Sequence, residues 1–173
     1  MVWVGRGLFA AAFLALAALV WWSAPSHSVV RILDTDVVRM NVETTNAQGD
    51  SVTRTRDVRF INAVTPSGRP AVFRNEDTGW GWPPYFKFDS ANLSAAASNL
   101  ASTEAEPRWV VLTHYGLRLT WFSMFPNALG VSPAEGPDQT AIPWIRIVAL
   151  AALALGMLTL RRLAIMAFGG SAP

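Results

Sequence analysis

Apolar and polar residues are segregated along this chain on a scale longer than any helix or strand period. Met1 to Trp22 (MVWVGRGLFAAAFLALAALVWW) and Ile142 to Leu160 (IPWIRIVALAALALGMLTL) are almost wholly apolar. Each approaches the roughly 20 residues that cross a bilayer as a helix. Between them lies a stretch of ordinary globular patterning. Val38, Met40 and Val42 alternate with Arg39, Asn41 and Glu43, the period-two signature of a half-buried strand. Asn46 to Asp50 (NAQGD) is a turn cluster, and Val52 to Val64 reads as a second strand carrying Val58, Phe60 and Val64. Thr65 to Gly68 turns the chain into a short strand at Arg69 to Arg74, where Pro70 is confined to an edge or to the first position.

Asn75 to Ser90 (NEDTGWGWPPYFKFDS) holds two glycines and two prolines, which forbid a regular helix and predict an ordered loop rich in aromatic rings. Ser90 is placed to cap a helix from Ala91 to about Ala101, with Leu93, Ala97 and Leu100 on one stripe. Trp109 to His114 suits a central strand. Leu117 to Phe125 fits either period, and Gly130 to Pro143 has linker composition. The expected fold class is α+β: a small, mainly antiparallel β domain with one short helix, flanked by N- and C-terminal transmembrane helices. The divisions are 1–24 for the first span, 25–130 for the domain, 131–141 for the linker, 142–162 for the second span and 163–173 for a tail.

Several side chains refine the membrane reading. Trp21 and Trp22 close the first span, Trp144 opens the second, and Arg161 with Arg162 ends it; together they form the expected interfacial belt and stop. A cleaved leader is the alternative at the N-terminus, but tryptophans occupy the place of the small residues that cleavage needs. Arg146 is expected to snorkel to the interface. Gly7, Ala11 and Ala15, with Ala152 and Gly156, recur at the spacing of helix-packing faces, which would suit a helical hairpin or self-association. Arg6, Arg161 and Arg162 put both termini on the cytoplasmic side under the positive-inside rule.

Charge follows the same segregation. Of the 14 basic and 12 acidic residues, ten basic and all twelve acidic ones lie between the spans, leaving that region at −2. The basic balance of the whole chain therefore belongs to the membrane flanks, and nucleic acid is excluded as a partner. With no cysteine, a disulfide framework, a thiolate metal site and a cysteine nucleophile are excluded as well.

Candidate chemistry is sparse. His27 and His114 are the two histidines, and no metal-binding spacing surrounds them. His27 reads as an interfacial residue and His114 as a hydrogen-bonding residue at a strand end. Asp34 and Asp36 share a strand face, and Glu76 and Asp77 are adjacent on the loop; each pair reads as solvated charge beside arginines. No catalytic, cofactor-binding or metal-binding residue is assigned, and no cofactor is expected. The remaining candidate is a surface for a ligand or partner made by Asn75, Glu76, Asp77, Trp80, Trp82 and Tyr85, where rings stack on a sugar or anchor a protein interface while polar groups bond beside them. The competing reading packs the rings into the core.

The segment NEDTGWGWPPYFKFDS, preceded by TRDVRFINAV (Thr55 to Val64) and followed by THYGLR (Thr113 to Arg118) and FSMFPNA (Phe122 to Ala128), resembles a family of alphaproteobacterial inner-membrane proteins catalogued as a domain of unknown function. The resemblance covers Val29 to Asp138 and the N-terminal span. It implies an inner-membrane location with the domain in the periplasm, and carries no activity or site residues. The expected role is a non-catalytic accessory or docking component of the bacterial envelope. Its partners would be the lipid bilayer and another membrane protein or a second copy of the chain. A membrane-tethered glycan or small-ligand module using the loop at 79–88 is the alternative, and an enzyme using carboxylates and His114 is a third.

Overall fold

The computed structural model describes residues 2–45 and 51–168, which divide into two compact units: one from the chain ends (to Pro25, and from Pro143) and one from Ser26–Ile142. The turn cluster at 46–50 lies outside the described residues.

The Ser26–Ile142 unit is a closed five-stranded barrel. Its strands are β1 (Ser26–Thr45), β2 (Ser51–Val64), β3 (Pro70–Arg74), β4 (Trp109–Tyr115) and β5 (Asn127–Pro133), ordered β1-β2-β3-β5-β4. Every pairing is antiparallel except that of β3 with β5, which meet at the single pair Arg74↔Asn127. The helix after β3 is α2 (Ser90–Asn99), whose Leu93 and Ala97 join the barrel core. This order and this helix placement are the topology of the OB-fold, a five-stranded, partly open Greek-key barrel. Val30, Ile32, Ile61, Val110 and Leu112 are fully buried, each contributing about 1.5–3 kcal/mol by leaving water.

A bulge between Ile32 and Asp34 reverses the parity of β1. Even positions point inward before it (Val30, Ile32) and carry exposed acids after it (Asp34, Asp36). The adjacent apolar pair Ile32-Leu33, which breaks the alternation, is its mark in the sequence. Beyond the bulge β1 outruns the barrel: from Val37↔Arg59 to Thr45↔Ser51, β1 and β2 pair only with each other. The result is a two-stranded arm of nine residue pairs, close to ~30 Å long at about 3.4 Å per residue.

Two expectations need correction. The region from Gly130 is not all linker, because β5 continues to Pro133 and its backbone completes the barrel against β4. Ser90 is the first helical residue and not the cap, its N–H and hydroxyl being engaged by Asp77; Asp89 holds the cap position with no side-chain cap bond. The ambiguous segment resolves into a β4–β5 hairpin with a 3₁₀ turn at Thr120–Phe122 and the bridge Leu119↔Met124.

The other unit consists of α1 (Val2–Ser23) and α3 (Trp144–Phe168). Trp144–Ala167 is 24 residues with mean hydropathy 1.8, long and apolar enough by length and composition to cross a membrane; the apolar stretch Gly7–Ser23 of α1 is shorter. α3 runs past the expected end at 162, carrying Arg161 and Arg162 on its exposed surface. Trp21 and Trp144 are exposed and Trp22 is half-buried. Arg146 has partners within the protein. It is buried, its Nη2 donates to the Ala24 carbonyl at 3.0 Å, and its guanidinium lies 4.6 Å from the Trp21 ring centroid. The negative end of the α1 dipole and a ring face are thus among its partners. Among the described residues of the single chain, a Cβ built on Gly7 or Gly156 meets nothing within 4 Å.

Candidate functional site

The loop from Asn75 to Asp89 crosses the seam where β3 and β5 barely meet, and it is turned inside out. Asn75 and Lys87 face the core, while Trp80, Trp82, Phe86 and Phe88 face solvent. Asn75 is fully buried; its Nδ2 donates to the Ser90 carbonyl and to Ser94 Oγ, both at 2.8 Å. Lys87 is buried too, donating from Nζ to Asn75 Oδ1 at 2.5 Å and to the Ala128 carbonyl at 2.7 Å. This last bond satisfies a carbonyl of β5 at the place where β3 has ended. Burial pushes the Lys87 ammonium down to about 8, against the opposing pull of Asp77, Asp89 and Glu76.

The neighbouring groups are occupied in the same way. Asp77 accepts from the Ser90 N–H at 2.8 Å and from Ser90 Oγ at 3.1 Å. Glu76 is paired with Arg56 and Arg74, and its backbone N–H and carbonyl are both held by the Asn127 side chain. Thr78 and Lys87 zip the two limbs of the loop together, Lys87 N–H donating to Thr78 Oγ1 and the Thr78 and Gly79 N–H groups donating to the Lys87 carbonyl.

This framework pushes the rings outward. Phe86 has φ +50°, a left-handed conformation that a bulky residue adopts only where its surroundings dictate it. Its ring contacts Trp80, which also meets Phe88, at centroid separations of 5.4 and 5.6 Å. Trp80 is 84% exposed, and Trp82, Phe86 and Phe88 are each more than half exposed. Tyr85 is half-buried and stacks on Tyr115 at 4.9 Å. A shallow depression of about 420 Å³ lies beside them, lined by Tyr85, Phe86, Lys87, Phe88, Asp89 and Leu129.

Of the six surface residues expected from the sequence, Trp80 and Trp82 are presented to solvent. Asn75 is inside, while Glu76 and Asp77 spend their carboxylates on neighbours, so the polar half of a sugar subsite is already engaged. Sequence reasoning missed Lys87, whose signal is the inverted alternation Phe86-Lys87-Phe88. It also missed Trp121 and Phe122, 95% and 76% exposed on the β4–β5 hairpin. That hairpin is braced against β2: Phe125 meets Phe60 edge-on at 5.4 Å, and Arg118 lies 4.0 Å over the Phe125 ring.

His114 Nε2 bonds Ser28 Oγ at 2.9 Å and its ring tilts on Phe73, while His27 Nδ1 bonds Thr113 Oγ1 at 3.0 Å. Asp34 and Asp36 both accept from Asn62 Nδ2, on the exposed face of β1. Among the described residues, no group of three or more metal-ligating side chains comes together.

Residues 2–168 match the family described as Protein of unknown function (DUF1523). The chain belongs to that family. The DUF1523 match takes in α1, the whole barrel and α3, so the C-terminal helix is part of the family's common extent, beyond the segments that carried the resemblance. An "Uncharacterized protein" from Haemophilus influenzae is 36% identical over 134 residues, covering 74% of this chain and 74% of the relative. No solved structure matches the chain.

Proposed function

We propose that this DUF1523 protein is a membrane-anchored periplasmic docking component of the bacterial envelope, held in the inner membrane by α1 and α3 with both termini cytoplasmic. Only 6% of the apolar window in α3 is buried, which leaves its leucines and isoleucines facing outward as lipid-facing residues do. The pairing of Arg146 with Ala24 and Trp21 lessens the expense of placing that charge near a bilayer. The flanking arginines favour a cytoplasmic position for both ends.

The β1–β2 arm carries the docking reading. A two-stranded ribbon is at best marginally stable alone in water. Among the described residues no third strand pairs with it over these nine pairs, the Arg59 carbonyl at its base accepting from the Asn75 N–H, and Val37 and Val38 are exposed there. Sheet edges without a third strand accept a partner strand. The braced hairpin places Trp121 and Phe122 as candidate anchors of the kind that dominate protein interfaces. A glycan module is less well supported, because Asn75, Glu76 and Asp77 are engaged within the loop.

The test is co-purification of the full chain in mild detergent, compared with a variant in which Met40 to Arg56 is replaced by an Asn-Gly turn. A stoichiometric partner recovered with the intact chain and lost with the shortened arm is expected. Recovery of none with the intact chain sinks the reading.

A further inference from the structure

We infer that the arm joins two copies of this chain, the outer edge of β1 from Val37 to Thr45 pairing antiparallel with the same edge of a second copy about a two-fold axis at Asn41. This rests on the reading of the arm as a docking element and names its partner. Backbone geometry supplies the first argument. Among the described residues, β2 is the strand that pairs with β1 beyond Arg31, so the other edge of β1 along the arm faces no strand. In an antiparallel ladder only every second residue turns its N–H and C=O outward. Two copies of one edge therefore pair only in registers centred on a residue. Of these, the register centred on Asn41 overlaps the whole β1 side of the arm, since Val37 meets Thr45 of the second copy.

The residues that fall opposite one another in that register supply the second argument. Arg39 meets Glu43 of the second copy, and its Glu43 meets Arg39; Met40 meets Val42 twice, and Asn41 meets itself. Moving the centre by one residue either way removes both Arg–Glu pairs. Opposite charges across two strands favour a pairing and like charges oppose it. The outer edge of β2 fails the same test. Centred on Thr55, its full overlap sets Arg54 against Arg56 twice, and its Arg59 carbonyl is already engaged by the Asn75 N–H. Arg39 is exposed and bonds Asp57 from the β2 side, so a second carboxylate approaches it from the open side of β1. Two ribbons that are marginal alone become one four-stranded sheet, and a two-fold contact closes on itself without propagating into fibres.

The chain has no cysteine, so single substitutions report the register directly. Residues directly opposite in an antiparallel ladder have Cα atoms about 4.5–5.5 Å apart, within the range that a disulfide spans. The full chain would be purified in mild detergent as Asn41→Cys, Arg39→Cys, Glu43→Cys and, on β2, Thr53→Cys, then oxidised with copper–phenanthroline. Asn41→Cys is expected to form a covalent dimer several-fold faster than the other three. Co-expressed Arg39→Cys and Glu43→Cys chains should form the mixed dimer as readily as Asn41→Cys forms its own. A second measurement exchanges the charges. Arg39→Glu and Glu43→Arg chains, differently tagged and co-expressed, should co-purify several-fold better with each other than either does with itself. Cross-linking at 41 no faster than at 53, or charge-exchanged chains without that preference, overturns the two-fold pairing. In that event, a different protein recovered with the intact chain and lost with the shortened arm leaves the docking reading standing; recovery of none removes both. Near-UV circular dichroism of each variant confirms that the barrel is folded.

Discussion

The two faces of the 75–89 loop obey opposite rules. Inside, Asn75, Lys87 and Ser90 form a buried polar network in which the stated donors and acceptors are matched, with Asp77 closing it from the surface; outside, Trp80, Trp82, Phe86 and Phe88 stand in the open. Ordinary segregation would put rings in and amides out. The contrast teaches that this loop gains little of its order from hydrophobic burial. Hydrogen bonds across the β3–β5 seam hold it, and the rings are left over for something else. The β1–β2 pair shows a related division along its length: Ile32 and Ile61 are sealed in the barrel, while Val37 stands 62% exposed on the arm.

Removing the inner network should do the most damage. Asn75→Ala strands a buried ammonium, a carbonyl and a hydroxyl, and is expected to destabilise the barrel by about 3–5 kcal/mol in urea titrations of the full chain in detergent. A loss under about 1 kcal/mol would mean that the network is decoration.

The next effect is a pH dependence. The Lys87 pKa is lowered from 10.5 to about 8 in the folded protein, so the unfolded chain binds more protons between those values. Below about 8 the full penalty of a buried ammonium is present; as pH rises from there toward 10.5 it is relieved and stability climbs. Between pH 7 and 9.5 the wild type should gain on the order of 2 kcal/mol relative to Lys87→Met, by urea titration at each pH. A wild type that loses stability over that window relative to the variant would show that the ammonium is held favourably.

The outer rings should barely register in folding. Trp82→Ser is expected to change stability by less than about 0.5 kcal/mol, and Trp121→Ser likewise, since neither side chain is packed. Trp80→Ser should cost slightly more, about 0.5–1.5 kcal/mol, because its ring meets Phe86 and Phe88. Large losses at positions 82 or 121, read by thermal melts, would erase the distinction between the two faces.

Much of the β framework was legible because its signals are local. The turn at 65–68, the strands on either side, Pro70 at a strand start and the Leu93–Ala97–Leu100 stripe all follow from residue type and spacing. The site was legible only in outline. Loop 75–90 was visible as glycine, proline and aromatic residues, yet which of its side chains face inward depends on bonds to Ser90, Ser94 and Ala128, distant partners that no local pattern names. β5 was missed because glycine, proline and serine weaken its strand signal, and pairing with β4 overrides that propensity.

By itself the sequence determined the apolar ends, the slightly acidic middle, the absence of thiol chemistry and the sites of most turns. These depend on composition and on φ/ψ preference, which each residue carries with it. Tertiary structure alone decided barrel closure, the parity switch at the Ile32/Asp34 bulge, the burial of Lys87 and the clasp of Arg146 on Ala24. Each of these is a contact between residues far apart in the chain, and its free energy exists only once both partners are in place.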